Sequence, residues 1–236
     1  MNPFDLFWIS PVEDTDIAKN EIQIALPPWQ LTGSGYILLY RFTKAFVAEH
    51  GFLADFQKEK FVSGWGAVML VDYQTSPVGP YHELLFIPGL FSFNKKKVFS
   101  ISKIYVSTQS SVINGIENWG IPKELADFHW RKKQISDHIA ISKDGVSFFE
   151  ADFIKRRICF PISTTILPLT IVQAHKNRLM LTKPRSSGMA YLAKLQNIKV
   201  NGEFFPDLTK VKPLLVLHVE NFKMEFPVPA CQAFQK

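Results

Sequence analysis

HIAISKDGVSFFEADF, residues 138–153, decides the fold class. Two runs of alternating apolar and polar residues flank Asp144-Gly145, and this dipeptide is a strong signal for a two-residue hairpin turn. Alternation with period two places one face of each run in a core and the other towards solvent. Working outward, GYILLYRF (35–42), GWGAVMLVDYQT (64–75), YHELLFIPG (81–89), KVFSISKIYVST (97–108), TTILPLTIVQ (164–173) and KPLLVLHVENFKMEF (212–226) read as further strands. LAKLQNIKV and EFF, joined by Asn201-Gly202, read as a second hairpin. TKAFVAEHGFLADF (43–56) has helical spacing behind an N-cap at Thr43 and a break at Gly51, and SSVINGIENWG (110–120) reads as a short helix ended by Gly120 and Pro122. The sum is about ten strands and two or three short helices. The expectation is an α+β fold centred on an antiparallel sheet that curls into a β-barrel.

The bulk numbers agree with one domain. The chain has 236 residues, 47% hydrophobic and 20% charged, with 21 Phe, which suits a large strand-rich core. Residues 1–24 read as an N-terminal lead-in and 25–236 as the domain. The net charge of +6 lies in short runs, Lys95–Lys97, Arg131–Lys133 and Lys155–Arg157. These read as solvated strand ends, since no nucleic-acid-binding signature accompanies them. Two cysteines, Cys159 and Cys231, form no disulfide framework and are expected to be buried. The N-terminal residues lack the basic region of a signal peptide, and runs such as YILLY fall far short of the ~20 residues of a membrane helix. No membrane partner and a cytoplasmic location are expected.

Six scattered histidines show no metal-ligand spacing, and GSGYIL (33–38) lacks the third glycine of a dinucleotide fingerprint. Neither a metal nor a cofactor is expected. What remains is NGIENWGIPKELADFHW (114–130), where Lys123 follows Trp119, Ile121 and Pro122. A lysine does covalent work when its amine is neutral, which from an ordinary value of about 10.4 requires a large downward shift that burial can supply. The amine then attacks a ketone, and the protonated imine withdraws electrons from a neighbouring bond, so that a β-carboxylate leaves as carbon dioxide.

NGIENWGIPKELA resembles the active-site segment of the acetoacetate decarboxylase family, which runs Gly-Arg-Glu, then aromatic-x-Pro-Lys, then Leu-Ala. PPWQLTGSGYILLYRF, GAVMLVDYQTSPVGPYHELLFIPG, SISKIYVSTQSSV and KPLLVLHVENFKMEFP are similar to a bacterial decarboxylase-like branch of it. The resemblance spans about residues 25 to 228.

It implies a barrel-centred α+β domain with Lys123 as the imine-forming residue. Glu83, forty positions earlier in a Tyr-x-Glu motif, would be its proton-transfer partner. Tyr81, Trp119, Glu117 and Val68 are implied as pocket residues. The family's second lysine is Glu124 here, its second glutamate falls at Val68, its active-site arginine falls near Gly33, and the arginine of Gly-Arg-Glu is Ile116. Arg41 and Arg178 are further candidates for binding a substrate carboxylate.

The implied function is cofactor-free decarboxylation of a small β-keto acid in a homo-oligomer. Aldol or dehydration chemistry on the same imine, and a non-catalytic ligand-binding barrel, are the alternatives. A Lys123 amine titrating near 10 would favour binding, and one near 6 to 8 catalysis.

Overall fold

The computed structural model describes residues 22–165 and 169–233. Strands dominate. In chain order they begin with β1 (Trp29–Arg41), then helices α1 (Lys44–His50) and α2 (Asp55–Lys58), and strands β2 (Phe61–Ser63), β3 (Trp65–Thr75), β4 (Tyr81–Ile87), β5 (Leu90–Phe93), β6 (Lys96–Phe99) and β7 (Lys103–Val106). Helix α3 (Gln109–Trp119) leads to β8 (Lys123–Leu125), β9 (Asp127–Lys132), β10 (Ser136–Lys143), β11 (Val146–Ser163), β12 (Ile171–His175), β13 (Arg178–Thr182), β14 (Arg185–Val200), β15 (Leu215–Phe226) and β16 (Ala230–Ala233). Among the described residues no helix is long and apolar enough to cross a membrane.

Ten strands form one sheet in the order β8-β7-β4-β3-β1-β15-β14-β11-β10-β9. Its two edge strands, β8 and β9, are consecutive in the chain and separated only by Ala126. One residue cannot span ten strands at ~4.8 Å each, so the sheet has to curl until its edges meet. Side chains bridge the seam. Lys132 on β9 pairs with Asp72 on β3, Lys143 on β10 reaches Glu124 on β8 at 2.6 Å, and the His82 ring on β4 lies 5.8 Å from that of Phe128 on β9. The result is the expected α+β, barrel-like architecture.

Closure divides the apolar residues of this sheet between two cores. Even-numbered residues of β1, β3 and β4, such as Tyr36, Leu38, Val68, Leu70, Leu84 and Phe86, pack with Ile139, Ile141, Phe149 and Phe153 of β10 and β11. Odd-numbered residues of β3 and β4, such as Val71, Tyr73, Tyr81 and Leu85, pack with Trp119, Ile121 and Phe222. This second face carries the candidate site.

Asp144 and Gly145, at φ +52° and +77°, turn β10 into β11 as the dipeptide predicts. Asn201-Gly202 does not make a hairpin. The Asn201 side chain accepts from the Glu203 N–H at 3.0 Å, its carbonyl accepts from Phe204 and Phe205, and Phe205 is buried in the first core. That local turn leads to the 3-10 turn Leu208–Lys210, and β14 pairs with β15 instead.

KVFSISKIYVST is two strands, β7 in the ten-stranded sheet and β6 in a second, six-stranded sheet ordered β16-β13-β12-β6-β5-β2. Buried Ser100 breaks it, accepting from Gln57 Nε2 and donating to the Val172 carbonyl, both at 2.7 Å. β1 starts at Trp29, six residues before the expected strand at 35, and the strand count rises to sixteen among the described residues because several have only three or four residues. Of TTILPLTIVQ, residues 166–168 lie outside the described residues, as does most of the 1–24 lead-in. Cys159 and Cys231 are exposed, which corrects the expectation of burial: they lie on β11 and on the short β16.

At one end of the first core, the Tyr36 hydroxyl donates to Asp137 at 2.9 Å, Lys155 pairs with Asp137 at 3.0 Å, and the His218 ring packs 4.7 Å from Tyr36. Burial, then Lys155, push His218 down to about 4, and Asp137 opposes them. Glu220 lies 3.4 Å from Nδ1 but is partly exposed, and solvent screens its pull. The neutral ring is the folded form. Stability is therefore full above the ordinary value of 6.5 and falls as pH drops from there to about 4. Thermal melts of wild type and His218→Gln across this range should show a smaller acid loss in the variant, by about 2–3 kcal/mol.

Candidate active site

Lys123 owes its position to a β7-α3-β8 crossover, in which β7 and β8 are parallel neighbours. Thr108 caps α3, its hydroxyl accepting from the Ser111 N–H at 3.3 Å. Gly120 ends the helix at φ +66°, where an L side chain would be strained, and donates to the Ile116 carbonyl at 2.9 Å. The Ile121 N–H bonds back to Gly115 at 3.1 Å, completing a Schellman-type stop. Pro122 cannot donate, and the Lys123 N–H reaches the Ile121 carbonyl at 2.8 Å across it. The chain is thus turned sharply from α3 into β8.

On β8, Lys123 sits opposite Ile104 of β7, and Glu83 on β4 sits opposite Val106. Both side chains lie on the odd face of the sheet. Lys123 is 7% exposed and Glu83 4%, and Lys123 Nζ lies 2.9 Å from Glu83 Oε2. The Tyr73 hydroxyl donates to Glu83 Oε1 at 3.2 Å, and Lys123 Nζ donates to the Ser111 hydroxyl oxygen at 3.0 Å. Nζ also lies 5.0 Å from the centre of the Tyr81 ring, whose hydroxyl contacts Ser111 and Lys123.

The lysine stem passes along α3 at Gly115, where a Cβ would fall 2.5 Å from Lys123 Cδ and 2.8 Å from Cε. Around this group is a cavity of about 350 Å³, with Met69, Val71, Leu85, Ile104, Trp119 and Phe222 in its wall. Lys123 and Glu83 are the one cation and the one anion among the described residues that line it.

The electrostatics correct one expectation. Burial is the largest influence on Lys123 and pushes it down, as anticipated. The Glu83 carboxylate and the Tyr81 phenol together outweigh burial, and the amine sits above its ordinary value. The resting lysine is an ammonium in a buried ion pair. Burial pushes the Tyr81 phenol up to about 12 against the pull of Lys123, and pushes Tyr73 well above its ordinary value. Both phenols therefore stay protonated as hydrogen-bond donors.

A sequence model of the acetoacetate decarboxylase family matches residues 53–159, a span that includes Glu83 and Lys123. Over that span the chain is similar to the acetoacetate decarboxylase family. Its fold is that of an acetoacetate decarboxylase from Legionella pneumophila, with TM-score 0.68 and 11% identity over 98% of each chain. An acetoacetate decarboxylase-like enzyme from Sphingomonas wittichii RW1 superposes equally well, with TM-score 0.68 and 10% identity, covering 90% of this chain and 95% of that one. The enduracididine biosynthesis enzyme MppR, complexed with pyruvate, gives TM-score 0.60 at 15% identity over 96% of this chain and 95% of that one. No curated protein matches in sequence.

Against this decarboxylase-like frame, Lys123, Glu83, Tyr81 and Trp119 line the cavity together. Val68 and Glu117 do not, which corrects their assignment to the pocket. Val68 points to the even face and is buried in the first core, while its neighbour Met69 lines the cavity. Glu117 is on the solvent side of α3, paired with Lys176 at 2.5 Å. Arg41 packs over Trp65, and Arg178 is exposed on β13; neither lines the cavity.

Glu124 faces away from its neighbour, held by Lys103 at 2.5 Å and Lys143 at 2.6 Å. Tyr73, Ser111 and Gly115 were not anticipated. The one signal for the last two is their four-residue spacing on a helix, which puts both on the face turned to Lys123.

Two outcomes follow from this geometry. Gly115→Ala gains about 1 kcal/mol in helix propensity but forces a methyl into the lysine stem, at about 1–3 kcal/mol. The net effect expected is a folded protein of unchanged or slightly lower melting temperature in which carbonyl trapping on Lys123 falls at least tenfold. Glu124→Gln should leave that trapping unchanged and lower stability by no more than about 1 kcal/mol, since the carboxylate is partly exposed. Loss of trapping in Glu124→Gln would show that this carboxylate tunes the amine.

Proposed function

We propose that the chain is a Schiff-base lysine enzyme that decarboxylates a β-keto acid on Lys123. The observation that carries this is the buried Lys123–Glu83 pair, at 2.9 Å, in a cavity whose other described lining residues are uncharged. An amine above its ordinary value is a poor nucleophile by the titration criterion, but here the base is built in. Proton transfer from Nζ to Glu83 Oε2 gives a neutral amine beside a neutral acid, and loss of two opposite charges is favoured where water is excluded. The amine adds to the ketone carbon. Glu83 returns the proton to the departing oxygen, which leaves as water, and a protonated imine forms.

The bond to the carboxylate then breaks. Its electron pair moves to the imine nitrogen, and carbon dioxide leaves an enamine behind. One proton taken from solvent, delivered through Glu83, goes to the enamine carbon. Water then hydrolyses the imine, releasing the ketone and the amine. The net change is β-keto carboxylate plus a proton to ketone plus carbon dioxide. Tyr73 and Ser111 hold the two reacting groups in register, and Tyr81 donates to the developing oxygen charge.

Decarboxylation is favoured over other uses of the imine by the lining of the cavity. Among the described residues that line it, no arginine, histidine or second lysine is available to hold a carboxylate. A carboxylate facing apolar walls loses its solvation, and breaking to neutral carbon dioxide relieves that penalty. Carbon–carbon bond formation on the same imine is the second reading, supported by the fold shared with MppR, a structure of which holds the condensation product of pyruvate and imidazole 4-carboxaldehyde.

Borohydride reduction in the presence of β-keto acid or pyruvate, followed by peptide mass analysis, should place the adduct on Lys123. Glu83→Gln should reduce its rate of formation by about 10²–10⁴-fold. An unlabelled Lys123 with every carbonyl compound would leave a non-catalytic binding role as the reading of the cavity.

A further inference from the structure

The cavity is larger and more apolar than an acetoacetate-sized substrate requires. Its volume of about 350 Å³ holds about a dozen groups of water or methylene size. Acetoacetate would fill roughly half of that space. Both charged side chains, Lys123 and Glu83, come from the β8-β7-β4 edge of the sheet. The lining then continues across β3, β1 and β15 with Met69, Val71, Ile37, Leu217 and Val219. It reaches β11 and β14, where the hydroxyl residues Ser163 and Ser186 line it. None of these lining residues offers a charge to a second carboxylate, a phosphate or an amine. A substrate with an ionic group at its far end would leave that group unpaired.

We propose that the substrate is a β-keto acid carrying an apolar substituent, about eight to ten carbons in all, with its keto-acid end at Lys123 and its substituent along the wall formed by β3, β1 and β15. This rests on the imine reading above and narrows it to a substrate class. Binding then comes from burial of the substituent rather than from a carboxylate clamp. Each methylene moved from water onto that wall tightens binding about three- to fourfold, until the space is full. Acetoacetate makes the same imine but leaves the apolar wall uncovered.

The test is a chain-length series on the wild-type protein. Acetoacetate, 3-oxohexanoate, 3-oxooctanoate and 3-oxodecanoate are each titrated under borohydride, and the concentration giving half-maximal adduct on Lys123 is measured by mass. Decanoate, which has no ketone, is titrated separately by calorimetry.

The half-trapping concentration is expected to fall by about a hundredfold or more from acetoacetate to 3-oxodecanoate, with decanoate acting as a competitor of trapping. Equal trapping along the series, or best trapping of acetoacetate, overturns the chain-bearing substrate and leaves imine chemistry in place. Binding of decanoate with no adduct from any β-keto acid overturns the imine reading, and with it this assignment of the cavity to a substrate. No binding and no adduct from any compound overturns both.

Discussion

A buried ammonium–carboxylate pair is the constraint around which this site is organised. Taking either ion out of water alone would cost several kcal/mol, and an ion pair in a low-dielectric interior is retained only when its remaining donors and acceptors are satisfied. Glu83 receives the Tyr73 hydroxyl on one oxygen and Lys123 on the other, and Lys123 also donates to Ser111. Every element that touches the pair supplies one such partner. β3 brings Tyr73, β4 brings Glu83 and Tyr81, α3 brings Ser111, and β8 brings Lys123. Removing either ion would strand the other, so the pair ties the β3–β4 hairpin to the α3–β8 segment that follows about twenty residues later.

The barrel closure and the site share a cause. The crossover through α3 makes β8 parallel to β7, and the single residue Ala126 then starts β9 on the opposite edge of the sheet. The same short segment therefore presents Lys123 to one core and, one residue later, Glu124 to the other side of the strand. There Lys103 and Lys143 hold it. A second lysine at that position would join two cations already present; a glutamate pairs with both and halves their net charge. This gives Glu124 a structural reason and separates it from the question of how Lys123 becomes nucleophilic. In the proposed mechanism the proton acceptor for that step is Glu83, two strands away on β4.

Much of this was legible because it depends on local periodicity. Alternation in YHELL put Tyr81, Glu83 and Leu85 on one face, and that face lines the cavity. Asp144-Gly145 fixed a hairpin because both residues accept positive φ. What failed depends on register between distant strands or on a single helix face. Val68 and Met69 differ by one position, and in a strand one position reverses the face. Glu117 lies two residues from Trp119 on α3, too far round the helix to share its buried side.

Asn201-Gly202 has a hairpin's composition, but burial of Phe205 and the Asn201 side-chain bond hold it in another turn. Tyr73 was not anticipated as a partner of Glu83 because their contact depends on the register of the β3–β4 hairpin, in which Tyr73 stands opposite Tyr81 and reaches Glu83 only diagonally.

The lost arginine then has a consistent place in the proposed chemistry. In the resting cavity one positive and one negative charge cancel. A bound β-keto carboxylate adds an anion that no other cation among the described lining residues can meet. Once the imine forms, the nitrogen keeps the positive charge that Lys123 brought, two bonds from the bond that must break. The carboxylate's electrons then have one favourable destination, the imine nitrogen. An arginine clamped on the carboxylate would bind the ground state as tightly as the transition state, in which that charge is already leaving, and would not speed the chemical step. Loss of the clamp is thus compatible with decarboxylation, provided binding energy comes from another part of the substrate.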